Sequence, residues 1–137
     1  MHNRPMVLPT DSTIRIAKDL VAASATPLVL GILAESETYG YAILKRVGEL
    51  SGGRLHWTDG MLYPLLHRLE RLGQVESSWR ASKTGRRRKY YHITEQGHEA
   101  LAAQQHQWKV VDDALRSIWH EMFSPVGPRS TLQRQRV

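Results

Sequence analysis

The stretch that most narrows the fold runs over residues 58–93. Within it Leu62, Leu65, Leu66, Leu69 and Leu72 recur at intervals of three and four, which places them on one stripe of an α-helix. Thr58 suits the N-cap of that helix, because its hydroxyl can accept a free backbone N–H; Gly73 suits the stop, because it tolerates left-handed backbone. The other faces carry Gly60, Met61, Tyr63, Pro64, His67 and Arg68, a slim end, uncharged to basic, that projects away from the core. Such an end has the girth and charge to enter a DNA major groove. Pro64 falls in the second turn, where its missing N–H removes only an early hydrogen bond, so a slight kink without a break is expected.

Beyond Gly73 the period changes. Val75, Ser77 and Trp79 alternate with Glu76, Ser78 and Arg80, and Tyr91 and Ile93 alternate with Tyr90 and His92, which is the period of strands. The two runs, 75–80 and 87–93, flank a Gly-containing loop at 81–86 and read as a β-hairpin. Arg80, Lys83, Arg86, Arg87, Arg88 and Lys89 crowd its tip, with no acidic residue between Ser77 and Thr94. Most Lys/Arg clusters are simply solvated faces. Directly after a slim helix, however, this one has the outline of the wing of a winged helix-turn-helix.

The 137-residue chain, 41% apolar, can hold one modest core. Its net charge of +6, from 19 Lys and Arg against 13 Asp and Glu, favours a polyanionic partner such as nucleic acid. The absence of cysteine excludes disulfide and thiol chemistry and fits a reducing compartment. No signal-peptide apolar core is present, and no apolar run approaches the roughly 18 residues of a membrane span. No membrane contact and a cytoplasmic location are therefore expected.

Residues 1–11, with Pro5 and Pro9, are expected to form a disordered tail. From Asp11 or Ser12 as cap, Ile14, Ala17, Leu20, Val21 and Ser24 trace a narrow apolar stripe opposite Arg15, Lys18 and Asp19. Thr26-Pro27 is expected to restart or bend this helix, and the apolar run from Leu28 to Ala34 to be the buried centre of the core. Residues 36–40 read as a connection. Residues 41–50 read as a helix with Ile43, Leu44, Val47 and Leu50 inward, ended by Ser51-Gly52-Gly53; it is the helix expected to cross the DNA backbone. Its link to Thr58, containing Leu55 and Trp57, is longer than in the compact helix-turn-helix and favours the winged variant.

After the hairpin, Thr94 caps a long helix in which Leu101, Trp108, Leu115 and Met122 are spaced by seven, with Val111 and Ile118 between them. That seam suggests a coiled-coil-like contact between two subunits; the competing reading is a helix packed on its own core. Residues 124–137, with Pro125, Pro128, Arg129, Arg134 and Arg136, are expected to be a disordered basic tail adding weak attraction to DNA. Trp79 and Trp119 read as packing residues. The histidines, among them His56, His67, His92, His98, His106 and His120, show neither an i, i+4 pair nor a Cys companion, so no metal or other cofactor is expected. No nucleophile elbow, phosphate-cradling loop or positioned carboxylate pair appears, so catalysis is not expected either.

These residues resemble the PadR family of bacterial transcriptional regulators over roughly residues 27–119. The likeness rests on Tyr39-Gly40-Tyr41, on the Thr58–Gly73 pattern Thr-x-x-x-Leu-Tyr-Pro-x-Leu-x-Arg-Leu-Glu-x-x-Gly, on Gly-Arg-Arg-x-x-Tyr-Tyr-x-x-Thr at 85–94, and on Glu95-x-Gly97. It implies a winged helix-turn-helix with a C-terminal dimerisation helix, usually in a repressor relieved by small aromatic compounds or drugs. A single C-terminal helix is similar to the small, multidrug-sensing subclass, whose Trp-x-x-Val-Asp pattern is matched by Trp108-Lys-Val-Val-Asp112. The resemblance implies that the two Trp108 rings of a dimer sandwich a flat aromatic drug and that Asp112 balances its positive charge. Gln104 and Gln105 stand where the subclass presents an apolar, aromatic-containing wall.

The fold expected is mainly α with a β-hairpin wing: a winged helix-turn-helix domain with an N-terminal helix at 12–93 and a dimerisation helix at 94–123. The function expected is a homodimeric, sequence-specific DNA-binding regulator, a repressor relieved by a small planar aromatic effector and acting on an inverted-repeat operator. Thr58, Gly60, Met61, Tyr63, Pro64 and His67 are the residues expected at base edges, with Tyr39 at the start of the preceding helix beside them. Lys83, Arg86, Arg87, Arg88, Lys89 and Tyr90 are expected at phosphates or the minor groove. The subunit seam is Leu101, Trp108, Val111, Leu115, Ile118 and Met122. Two other readings stay open: a winged protein-interaction module without DNA affinity, and a binder of structured RNA, for which a basic hairpin also serves.

Overall fold

The structure, a computed structural model, describes residues 15–123. The elements run α1 (Lys18–Glu35), β1 (Thr38–Tyr39), α2 (Gly40–Ser51), α3 (Asp59–Arg71), β2 (Val75–Ala81), β3 (Arg87–Ile93) and α4 (Glu95–Phe123). The strands form one antiparallel sheet in the order β1-β3-β2. Three helices, a wing and a long C-terminal helix make the winged-helix fold expected. The expected tails, the cap at Asp11 or Ser12, and Ile14 lie outside the described residues.

The leucine stripe explains the core. Leu62, Leu65, Leu66 and Leu69 of α3 are buried against Val29, Leu30 and Leu33 of α1, Ile43 and Val47 of α2, Val75 and Tyr91 of the sheet, and Leu101 of α4. Each such side chain contributes about 1.5–3 kcal/mol by leaving water. Leu72, the last residue of the stripe, is the C-cap and is exposed, and Gly73 follows with φ +76°. Pro64 leaves α3 unbroken.

Helix α1 differs from expectation at two points. It begins at Lys18, after an N-cap at Ala17 that makes no side-chain capping bond, so Ala17 is not part of a helical stripe and Leu20 is exposed. It also runs through Pro27 without restarting. Burial of Ala25, Val29 and Leu30 on either side of the proline outweighs the one backbone bond that its ring removes. Residues 36–40 are more than a connection: Thr38 and Tyr39 form a short strand, paired with Tyr91 and Tyr90 along the free edge of β3. Leu50, expected inward, faces solvent at the last turn of α2, where Gly52 turns left-handed.

The chain divides into two compact units after Leu101. In the first, Thr94 ties sheet to helix: its hydroxyl donates to the Gly73 carbonyl at 2.6 Å and accepts the Gly97 N–H at 3.0 Å, an N-cap on α4. Leu101, expected on the subunit seam, is 9% exposed and belongs to this core, because the first turns of α4 cover it. The second unit carries the rest of α4, on which Val110, Val111, Leu115, Ile118, Trp119 and Met122 are exposed. Trp119 is therefore not a packing residue within the chain. Among the described residues no helix is long and apolar enough to cross a membrane.

Candidate nucleic-acid interface

Helix α3 sets the interface. Its N-cap carbonyl, on Thr58, accepts the N–H groups of Met61 and Leu62 at 3.1 and 3.0 Å, while the Thr58 hydroxyl makes no capping bond. Thr58, Gly60, Pro64 and His67 are exposed. Tyr63 is half-buried, and Met61 turns inward to pack on the core, so Met61 is not the outward residue expected. Asp59 stands exposed in the first turn, where a carboxylate complements the helix dipole and can accept from a cytosine amino group. The end that projects from the core is thus not wholly uncharged to basic, and its acid lies beside Thr58 in plain sequence.

The wing pairs in full register from Val75↔Ile93 to Ala81↔Arg87. Its tip closes through Ser82 N–H to Arg86 carbonyl at 2.7 Å and Gly85 N–H to Ser82 carbonyl at 2.9 Å, with Gly85 at φ +84°. Lys83, Arg86 and Arg87 are exposed around it. The cations nearer the sheet rest on rings: Arg88 lies 4.4 Å from the Tyr39 centroid, Arg80 lies 4.8 Å from that of Tyr90, and the two tyrosines meet edge-on at 5.4 Å. This row fixes a guanidinium group at each end of an aromatic pair. Arg80 is also ion-paired to Glu37, whose carboxyl that guanidinium holds below its usual range. Arg80 is thus partly neutralised, unlike the residues at the tip.

Trp79, expected to pack, is 58% exposed, with the Arg87 guanidinium 5.9 Å from its ring. Its side chain is on the same face as buried Val75, but four residues of strand carry it about 13 Å along the hairpin, beyond the cover of the helices. Between wing and helix lies a groove of about 520 Å³. Tyr63 and His67 come to it from α3, Tyr39 and Gly40 from the β1–α2 junction, and Trp79 and Arg86–Lys89 from the wing. The structure thus brings together Tyr39, Tyr63, His67 and the basic run Arg86–Lys89, while Thr58, Gly60, Met61, Pro64, Lys83 and Tyr90 lie outside that groove.

In α4, Trp108 is half-buried and Asp112 is exposed one turn on. The Asp112 carboxylate accepts from Arg116 Nε at 2.7 Å, and Lys109 Nζ donates to Asp113 at 2.8 Å, so both acids are paired along the helix. Arg116 is thus the partner of the expected ligand-binding residue Asp112, a pairing that the i, i+4 spacing alone could have marked. Among the described residues no group of three His, Asp or Glu could hold a metal ion.

Residues 29–103 match the family described as transcriptional regulator PadR-like. A PadR family transcriptional regulator from Eggerthella lenta is 31% identical, with 74% of this chain and 86% of that one covered, at a TM-score of 0.64. A PadR-like transcriptional regulator from Bacillus cereus is 27% identical over 74% of this chain and 97% of its own, at a TM-score of 0.67. Among curated proteins, an uncharacterized protein of Lysinibacillus sphaericus is 24% identical over 100 residues, 73% of this chain and 92% of that one.

Proposed function

The chain belongs to the PadR-like family of transcriptional regulators, and on that premise we propose that it is a homodimeric repressor of the small, multidrug-sensing kind, released from an inverted-repeat operator by a small planar aromatic ligand. The observation that carries the DNA-binding part is the groove in which Tyr63 and His67 of α3 stand beside Arg86–Lys89 of the wing. Helix in major groove and wing on the flanking backbone would then act as one reader, with Tyr39 and Gly40 of the β1–α2 junction lining the groove between them. No Asn, Gln or Arg occupies the first turn of α3, so a bidentate base contact there is absent from the scheme, and groove shape and thymine methyl groups carry more of the selectivity.

Dimerisation is supported by the exposed apolar side chains Val111, Leu115, Ile118 and Met122 on α4, a patch that a monomer would leave in water. Trp108 continues this seam at half-burial. Ligand response rests on Trp108 with Asp112 one turn later. The Arg116 guanidinium joins that site, because any cationic ligand must share or take its carboxylate.

The test is footprinting on the DNA upstream of the chain's own gene, with duplex DNA and structured RNA as competitors and sedimentation run in parallel. The proposal expects a dimer protecting two half-sites about 10 base pairs, one helical turn, apart. A monomer at micromolar concentration would remove the dimer, and RNA competing better than duplex DNA would remove the operator.

A further inference from the structure

On its wing side, the groove between wing and α3 sets an indole among cations. Arg86–Lys89 supply the charge, and among the described residues no Asp or Glu lines it. Trp79 lines it with them, exposed, on the hairpin face whose inner end is buried Val75. Lys89 is its direct partner across the strand pair, and Arg87, two residues nearer the tip, holds its guanidinium 5.9 Å from the Trp79 ring centroid. The two cations are about 7 Å apart along β3, and both adjoin the indole. We infer that Trp79 reads the sugar of the bound strand: its ring lies against a deoxyribose whose neighbouring phosphates meet Arg87 and Lys89, and this contact makes the groove selective for DNA over RNA.

The inference rests on the reading of α3 in the major groove with the wing beside it. In a duplex, one sugar-phosphate strand separates the major groove from the adjoining minor groove, so that strand passes between α3 and the wing, through the space that Trp79 lines. Two cations suit two successive phosphates, and the ring beside both meets the sugar that joins them. Phosphate contact alone needs no indole, and it does not distinguish deoxyribose from ribose.

The chemistry of position 2′ supplies the selectivity. A deoxyribose presents C–H groups there, which an aromatic face covers without stranding a polar atom. A ribose presents a hydroxyl, both donor and acceptor, which loses water on the ring face and gains no partner. Insertion of Trp79 between base pairs would require the ring at the edge or tip of the hairpin. Full pairing from Val75↔Ile93 to Ala81↔Arg87 holds it on the sheet face instead, turned to the strand and away from the base stack.

The experiment is fluorescence anisotropy with the full chain, on the duplex protected in footprinting and on random duplex, for wild type, Trp79→Ala, Trp79→Phe and Arg86→Ala/Arg87→Ala/Arg88→Ala. Circular dichroism checks that each is folded; position 79 is exposed, so no core is opened. Trp79→Ala should bind both duplexes about tenfold more weakly, by the same factor because a sugar carries no sequence, and with the salt slope of wild type because the indole neutralises no phosphate. Trp79→Phe, which keeps a ring, should recover most of that loss. A single ribonucleotide is then moved along each strand of the protected duplex. At one position or more it should weaken wild type about fivefold, and there cost Trp79→Ala no more than about twofold. A flat scan in wild type, a ribose penalty that survives Trp79→Ala, or a loss confined to the protected duplex overturns the role of Trp79 while the operator reading stands. Failure of the operator reading has a different signature, wild type binding no duplex at all, and this inference then falls with it.

Discussion

The phenol of Tyr63 rests on Gly40 so closely that a Cβ at position 40 would clash with its oxygen and ring. Gly40 opens α2 and Tyr63 sits in the second turn of α3, so this contact sets how close α3 stands to α2. Gly40→Ala should cost about 1–3 kcal/mol by forcing the ring outward. In a Tyr63→Ala background the same change should be neutral, or stabilising by up to about 1 kcal/mol, since alanine is the better helix former. Urea unfolding of the four proteins reads the coupling; equal cost in both backgrounds would show that the close approach does not matter.

A second prediction concerns the joint between wing and α4. A Cβ on Gly97 would run into the Gln74 carbonyl and Ile93, and main chain cannot yield as a side-chain tip can. Gly97→Ala should therefore cost more than about 2 kcal/mol, and Thr94→Ala, which removes the cap, about 1–2 kcal/mol. Because Thr94 binds the Gly97 N–H directly, the double change should cost less than the sum. Full additivity in thermal or urea unfolding would contradict this.

Tyr91 ties stability to alkaline pH. Burial, with a smaller push from the Glu70 carboxylate, raises its hydroxyl to about 12 from a usual 10. Between those values the unfolded chain loses a proton that the folded chain keeps, so stability is full below pH 10 and falls as pH rises toward 12, by roughly 2–3 kcal/mol for this group. Wild type and Tyr91→Phe compared by denaturant unfolding at pH 9 and near 12 should differ in their losses by about that amount. Parallel losses would place the effect in other groups.

What is legible in the sequence is what repeats. Five leucines on one stripe announce α3, and two alternating runs around Gly85 announce the hairpin, because periodicity reports a face that must be buried. Two-residue β1 has no period to read, and its existence depends on the free edge of β3, far along the chain. At Pro27 local chemistry predicts a restart or a bend, and tertiary burial carries the helix through without a restart. Residue type alone sends Trp79 to packing and an outward helix position such as Met61 to DNA. The hairpin's reach and the packing of Met61 against the core reverse those two assignments. Arg80 looks equivalent to its basic neighbours in sequence because Glu37, which neutralises it, lies on another part of the chain.

Arg116, by holding Asp112, sharpens the test of ligand binding. Titrated with a planar cationic dye, wild type should show quenched Trp emission, Trp108→Ala little quenching, and Asp112→Asn weaker binding. Arg116→Ala should bind the dye more tightly because the carboxylate is released, though by no more than about twofold, exposed pairs of this kind being weak. Quenching that persists in Trp108→Ala, where Trp57, Trp79 and Trp119 remain, would move the site elsewhere.

Whether α3 and the wing together grip duplex DNA is read by fluorescence anisotropy on the gene's own upstream DNA and on random duplex, across a salt series. The proteins compared are wild type, Arg86→Ala/Arg87→Ala/Arg88→Ala and Arg80→Ala. Arg80→Ala should change the logarithmic salt slope little, its charge being held by Glu37. The triple variant should bind both DNAs more weakly, with a slope flatter by roughly one unit for each phosphate it no longer neutralises. An unchanged slope in the triple variant, or no duplex binding by wild type, would contradict a joint grip.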